Sequence, residues 1–315
     1  IYFLNGVKSM DNYNKNVGII SEITNFSTHD GPGIRTTVFM MGCPLRCKWC
    51  SNPETFKMEQ SLYYFPKKCK GTGKCQIVCP QGAISTADDI YNRIDRKKCN
   101  LCMKCVDSCL YDAYQICGTR YTVEDVFNIV KRDKVFYRES GGVTVSGGEP
   151  LQQSKFVKTL FKLCKEDGIS TVLDTSGYGN TEELIDILSY TDLVLYDIKT
   201  MDDRVHQELT GVSNKLILEN AIMTSKKVNT RISFPLVPKF NDDKINIHKL
   251  AEFAAFNKIE WIDINTIHFL AEGKYRHLGL EPPFNKFELV DKSNLNSIEN
   301  VFHDYGLKTT INRVM

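Results

Sequence analysis

Three thiols fall within eight residues in the stretch Cys43-Pro44-Leu45-Arg46-Cys47-Lys48-Trp49-Cys50. A closed structural zinc site takes four nitrogen or sulfur ligands, usually as two short pairs, and a disulfide framework belongs to small secreted chains. Neither pattern fits. Three thiolates on a cubane iron–sulfur cluster would leave one iron without a protein ligand, and such an iron can coordinate a small molecule and pass it an electron.

A second run, Cys99-Asn-Leu-Cys102-Met-Lys-Cys105-Val-Asp-Ser-Cys109, has the C-x2-C-x2-C-x3-C spacing with which bacterial ferredoxins wrap a [4Fe–4S] cube. Upstream, the frame repeats through Cys69, Cys75 and Cys79, with Thr72 where the second cysteine should stand. In two-cluster ferredoxins the fourth cysteine of each run ligates the other run's cluster. On that rule Cys79, Cys99, Cys102 and Cys105 form a complete auxiliary site. Cys69, Cys75 and Cys109 are left one thiolate short, and four outcomes stay open for them: a three-iron cluster, water or Thr72 as a weak fourth ligand, a loan from Cys117, or an empty site.

These cysteines need elements to hold them. Residues 17–25 and 35–41 are rich in β-branched and apolar types, with a Gly/Pro turn between them, and read as strands, the second leading straight into Cys43. Residues 65–118 lose apolar periodicity and read as an insertion, between a first core segment over 17–64 and the remaining core over 119–315. Beyond it strand and helix alternate. Thr122 caps a helix with Asp125 at its third position, and strands follow at 142–145, 171–174, 193–197, 229–235, 260–267 and 308–311. Repeated β-α units imply a parallel sheet, with chemistry at the strands' C-terminal ends. Those ends carry Gly147-Gly148-Glu149-Pro150, Asp174-Thr175, Asp197-Ile198-Lys199, Arg231 and His268. His206 reads as a solvated helical histidine, and Cys164 as core. No G-x-G-x-x-G follows a strand, and no P-loop is present.

Composition sets limits on function. The 40 Lys+Arg nearly balance 38 Asp+Glu, which gives no electrostatic footprint for nucleic acid, and no apolar run is long enough for a membrane span. Eleven of the 12 cysteines lie between Cys43 and Cys117, as expected of metal sites in a reducing, cytoplasmic and anaerobic setting. Residues 1–9 precede Met10 without the marks of a signal peptide and read as an extended start or a cloning remnant.

The C-x3-C-x2-C spacing with Trp49 before the last cysteine resembles the radical S-adenosylmethionine (SAM) superfamily. The motif order resembles its glycyl-radical-enzyme activating branch, of which the pyruvate formate-lyase activating enzyme is the simplest member. The resemblance implies a partial (β/α)6 TIM-like barrel of α/β class with an inserted ferredoxin-like domain. It implies a [4Fe–4S] cluster with an open iron on Cys43, Cys47 and Cys50, the catalytic residues. At that iron SAM would be cleaved to a 5′-deoxyadenosyl radical that takes the α-hydrogen of a glycine in a partner glycyl radical enzyme, whether a lyase, a dehydratase or a decarboxylase. SAM contacts are implied for Trp49, Asn52, Gly147, Gly148, Glu149, Thr175, Lys199, Arg231 and His268. Asp174, Thr175 and Asp197 would hold a monovalent cation, and Asp30 would touch the partner. One or two auxiliary iron–sulfur clusters, an electron donor such as flavodoxin or ferredoxin, and a monomeric state complete the expectation, with no nucleic-acid or membrane partner. Two competing readings are another radical SAM enzyme acting on a small molecule or RNA, and a ferredoxin-type electron-transfer protein.

Overall fold

The computed structural model describes residues 16–85, 93–283 and 287–312; the expectation for residues 1–9 falls outside them. The strands are β1 (Val17–Ser27), β2 (Arg35–Met40), β3 (Ser61–Tyr64), β4 (Tyr114–Cys117), β5 (Thr119–Thr122), β6 (Gly142–Gly147), β7 (Ser170–Thr175), β8 (Leu193–Asp197), β9 (Asn229–Leu236), β10 (Trp261–Thr266) and β11 (Lys308–Ile311). Nine form one sheet in the order β11-β10-β9-β8-β7-β6-β2-β1-β5. From β2 to β11 every pairing in it is parallel, while β1 runs antiparallel to both β2 and β5. Six β-α units lead to a closing strand, as the alternation of segments predicts, and the edges β5 and β11 leave the sheet open.

Alternation along each strand sorts its side chains onto two faces. Val38, Val143, Val145, Leu173, Val194, Ile232, Phe234, Ile262 and Ile264 enter the main core beneath the helices. The neighbouring positions Thr144, Asp174, Asp197, Arg231, Ser233 and Asp263 share the other face. Parallel sheets are normally apolar on both faces, so a polar face marks where this one gives up packing for a site. The β1–β2 turn covers part of it, because Thr28, Gly31 and Pro32 meet Leu195, Arg231, Asp263 and Thr310 around a small cavity.

The helices fasten the outer face. Helix Ser154–Glu166 buries Phe156, Val157, Leu160, Phe161 and Cys164, each large apolar side chain contributing about 1.5–3 kcal/mol. Thr122 and Asp125 close the predicted capping box. At the opposite end of the sheet from the cysteine loop, the fully buried Arg35 donates to Thr144 Oγ1 and to the carbonyls of Pro32, Ser140, Val143 and Ser170. Burial lowers its pKa to about 10, yet five hydrogen bonds make the charged guanidinium a brace that ties β2, β6 and β7 together.

The cysteine-rich segment packs around its own core of Leu62, Tyr64, Ile84, Ile94, Cys105, Ala113 and Tyr114. Strands β3 and β4 form a separate antiparallel pair at its base. Arg96 ties it to the helix Glu272–His277, donating to the carbonyls of Leu62 at 2.9 Å and His277 at 3.2 Å.

Candidate active site at the strand ends

The cysteine loop leaves β2 through Gly42, whose φ of +89° turns the chain. Helix Asp203–Thr210 anchors it, with the Arg46 and Lys48 amides donating to the Thr210 and Leu209 carbonyls. Arg46 folds back to donate to the carbonyls of Cys43 and Leu45, and the Tyr275 hydroxyl donates to the Cys50 carbonyl at 3.1 Å. The loop is therefore held by its backbone, and Cys50 Sγ accepts from Asn52 N at 3.3 Å. Burial pushes all three thiols up, that of Cys50 to about 12. Cys47 and Cys50 also raise the Cys43 thiol, so the three sense one another's charge. Held up in this way the thiols stay uncharged in the bare protein, and binding metal is the chemistry that draws off their protons.

Beside the loop lies a cavity of about 190 Å³ lined by Trp49, Ser51, Asp197, Ser233, Pro235 and residues 265–268, including His268. It joins the cysteine loop to the ends of β8, β9 and β10. At its margin Lys199 donates to Asp197 Oδ2 at 2.6 Å. Burial alone would lower the Lys199 pKa; the negative charge of Asp197 and its hydrogen bond overcome it and hold the ammonium protonated. The result is a fixed cation next to the thiols. Asp174 accepts from Ser146 Oγ at 2.8 Å on the same polar face.

The structure gives the expected contact residues partners within the chain. Glu149 is 1% exposed, and its carboxylate accepts from Leu151 N, Thr175 Oγ1, Ser176 N and Ser176 Oγ. The same bond commits the Thr175 hydroxyl to Glu149, and that hydroxyl also accepts from Gly177 N at 2.9 Å. Gly147 and Gly148 spend their freedom on backbone contact, since a Cβ would lie 2.4 Å from Met40 N or 2.4 Å from Gly42 O. Arg231 stands one layer deeper than the cavity, over the Trp261 ring and 3.9 Å from Asp263; Ser233 occupies the cavity wall instead. Asn52 accepts from Lys274 at 2.9 Å. Asp30 accepts from Ser27 and Thr37 and so holds the β1–β2 turn.

His206 is not solvated. It is fully buried, with Nδ1 between the Val212 carbonyl and Thr210 Oγ1, and its Nε2 has no partner among the described residues. Sequence gave no signal for Ser176 or Lys274, because each works through a partner far along the chain. Lys274 pairs at 2.6 Å with the buried Glu54, four residues beyond Cys50.

In the insertion, Cys79, Cys99, Cys102 and Cys105 line one enclosed, mostly apolar cavity. Four thiols around a common space are the donor set of an iron–sulfur cube. Cys117 is buried against Ile19 and Met41 in a different apolar cluster.

The comparisons with known proteins agree with this geometry. Residues 37–251 match the family model of the radical SAM superfamily. The chain is 36% identical over 305 residues to the 4-hydroxyphenylacetate decarboxylase activating enzyme of Clostridioides difficile, covering 94% of this chain and 96% of the relative. It is 41% identical over 306 residues to the (2S)-3-sulfopropanediol dehydratase activating enzyme of Klebsiella oxytoca, covering 93% and 96%. Among solved structures, Streptococcus suis SuiB bound to the precursor peptide SuiA matches with a TM-score of 0.54 at 17% identity, over 86% of this chain and 46% of that one.

Proposed function

The chain belongs to the radical SAM superfamily, in the branch of glycyl-radical-enzyme activating enzymes, and on that premise we propose that it uses SAM to take the α-hydrogen of a glycine in a partner glycyl radical enzyme. When bound, a [4Fe–4S] cluster and SAM supply the one-electron cleavage and the hydrogen-abstracting 5′-deoxyadenosyl radical. Cys43, Cys47 and Cys50 hold the cluster, and Trp49 and His268 wall the neighbouring cavity. Lys199, kept positive by Asp197, offers a donor to the carboxylate of SAM. Asp174 and Asp197 supply hard oxygens for a monovalent cation. Glu149 works at one remove, tying the end of β6 to the end of β7.

The observation that carries this reading is the convergence of a three-thiol loop and a cavity lined by Trp49, Asp197, Ser233 and His268 at the ends of parallel strands. Cys79, Cys99, Cys102 and Cys105 would hold an auxiliary cluster, and the electron donor is a flavodoxin- or ferredoxin-type protein. We place the enzyme in a reducing cytoplasm as a monomer, in keeping with its 12 free cysteines. The partner's reaction class is drawn from decarboxylases, dehydratases and the isethionate sulfite-lyase type that a further relative serves.

Anaerobic incubation with reductant, SAM and each candidate partner tests the proposal. The expected result is a glycyl radical signal by electron paramagnetic resonance on one of them. Productive SAM cleavage with a small substrate, and no protein radical on any partner, would move the chain to another radical SAM activity.

A further inference from the structure

Asn52 stands at the N-cap of the short 3-10 helix Pro53–Phe56, where an asparagine ordinarily turns its side-chain oxygen back onto the amides of its own helix. Here the cap makes no side-chain hydrogen bond, and the Thr55 amide donates instead to the Asn52 main-chain carbonyl at 3.0 Å. The side-chain oxygen goes to Lys274, 222 residues along the chain, whose Nζ donates to Asn52 Oδ1 at 2.9 Å. A long-range cation has overridden the local preference.

That cation holds a second oxygen. Lys274 Nζ lies 2.6 Å from Glu54 Oε1, and Glu54 is 7% exposed, with no hydrogen-bond partner for its Oε2 among the described residues. A carboxylate so buried needs a cation to stay ionised, and Lys274 provides it. The next residue, Tyr275, is itself buried and donates to the Cys50 carbonyl at 3.1 Å. Two adjacent residues of helix Glu272–His277 thus fasten Cys50, Asn52 and Glu54 at the exit of the cysteine loop. The helix is fixed in turn at its far end, where Arg96 donates to the His277 carbonyl and the Phe65 and His277 rings pack with centroids 4.3 Å apart.

An ammonium can only donate, whereas a carboxamide carries one accepting oxygen and one donating NH2. With its oxygen given to Lys274, Asn52 presents the NH2 to anything else it meets. Its neighbour Ser51 lines the cavity beside the cysteine loop, so the oriented carboxamide stands one residue from the ligand space. We propose that Lys274 is a positioning residue for SAM: it holds the Asn52 carboxamide by its oxygen, so that the NH2 donates to an acceptor oxygen of bound SAM. The proposal rests on the radical SAM reading, which supplies the ligand. Lys274 acts through Asn52 and selects the donating edge of a group that could otherwise turn either edge to the ligand.

The test measures SAM binding at equilibrium on the full chain, reconstituted and handled anaerobically. Glu54→Gln serves as the background, because it keeps an oxygen for Lys274 and leaves no buried charge unpaired once the lysine is removed. Adding Lys274→Met should weaken SAM binding about tenfold, the loss of one oriented hydrogen bond, while iron content and unfolding midpoint stay at the background level. Adding Lys274→Arg instead should restore most of the affinity, since arginine is also a cation that only donates. In a chain that also carries Asn52→Ala, Lys274→Met should have no further effect on SAM binding, because nothing is left to orient. Asn52→Asp in the otherwise unaltered chain keeps an oxygen for Lys274 but removes the NH2, and it should weaken SAM binding about tenfold with iron retained. SAM affinity unmoved by Lys274→Met, or lowered equally with and without Asn52, overturns the proposal, as does full affinity in Asn52→Asp. Loss of iron on Lys274→Met would also overturn it, by making the lysine a brace of the loop alone. An unaltered chain that holds its iron and binds no SAM would instead sink the radical SAM reading, and this inference with it.

Discussion

Glu149 and Ser176 face each other across the ends of β6 and β7, with Ser176 donating twice to Glu149 Oε2, from its amide at 2.9 Å and from its hydroxyl at 2.5 Å. Thr175 Oγ1 and Leu151 N complete the shell on Oε1. A buried carboxylate surrounded by donors is stabilised by every one of them and tolerates none of their loss. Glu149→Gln puts an NH2 donor against two of those donors. It should cost about 2–3 kcal/mol of stability, read as a lower unfolding midpoint in denaturant, and should lower SAM cleavage with it. A variant of full stability and full cleavage would show that the brace is dispensable.

Gly148 lies against the backbone that feeds the cysteine loop. A Cβ there would sit 2.4 Å from the Gly42 carbonyl, which cannot rotate away. Gly148→Ala should displace the loop and not the insertion. Reconstituted protein should then lose the iron assigned to Cys43, Cys47 and Cys50 while keeping that of the auxiliary half. Unchanged total iron together with unchanged SAM binding would contradict this account.

The Lys199–Asp197 pair sets a positive charge beside the thiols. Lys199→Met keeps much of the side-chain volume and removes the charge, so the fold should survive while SAM affinity drops about tenfold, the loss of one charge-assisted hydrogen bond. Equilibrium binding under anaerobic conditions measures it, and partial rescue by Lys199→Arg separates charge from shape. Equal affinity in the Met variant would remove Lys199 from the binding site.

His206 links pH to stability. Burial holds its pKa below the usual 6.5; the Val212 carbonyl opposes this, Lys199 adds to it, and Asp203 opposes it. The unfolded chain takes up a proton as pH falls through about 6.5, whereas the folded chain resists until a lower pH. The stability that neutral His206 contributes is therefore complete above 6.5 and lost as pH falls through the folded value. His206→Asn should flatten the fall of the unfolding midpoint between about pH 7 and pH 5, and parallel curves for the two proteins would refute the assignment.

Much of this molecule was legible before folding, because its decisive signals are local. Cysteine spacing depends on neighbours a few residues apart, and it marked Cys43, Cys47 and Cys50 and the repeated runs with Thr72 standing in for a ligand. Alternating apolar periodicity likewise marked β6 to β11, since a strand's two faces are written into consecutive residues. What sequence could not decide was which way a strand-end side chain turns. Glu149 turned into a nest of donors from β7, Arg231 sank one layer toward Asp263, Lys274 crossed the chain to Glu54, and His206 was buried where a helix surface had been expected. Each of these outcomes depends on a partner brought close only when the sheet assembles. A buried charge or donor takes the geometry that satisfies it, and that geometry exists only in three dimensions.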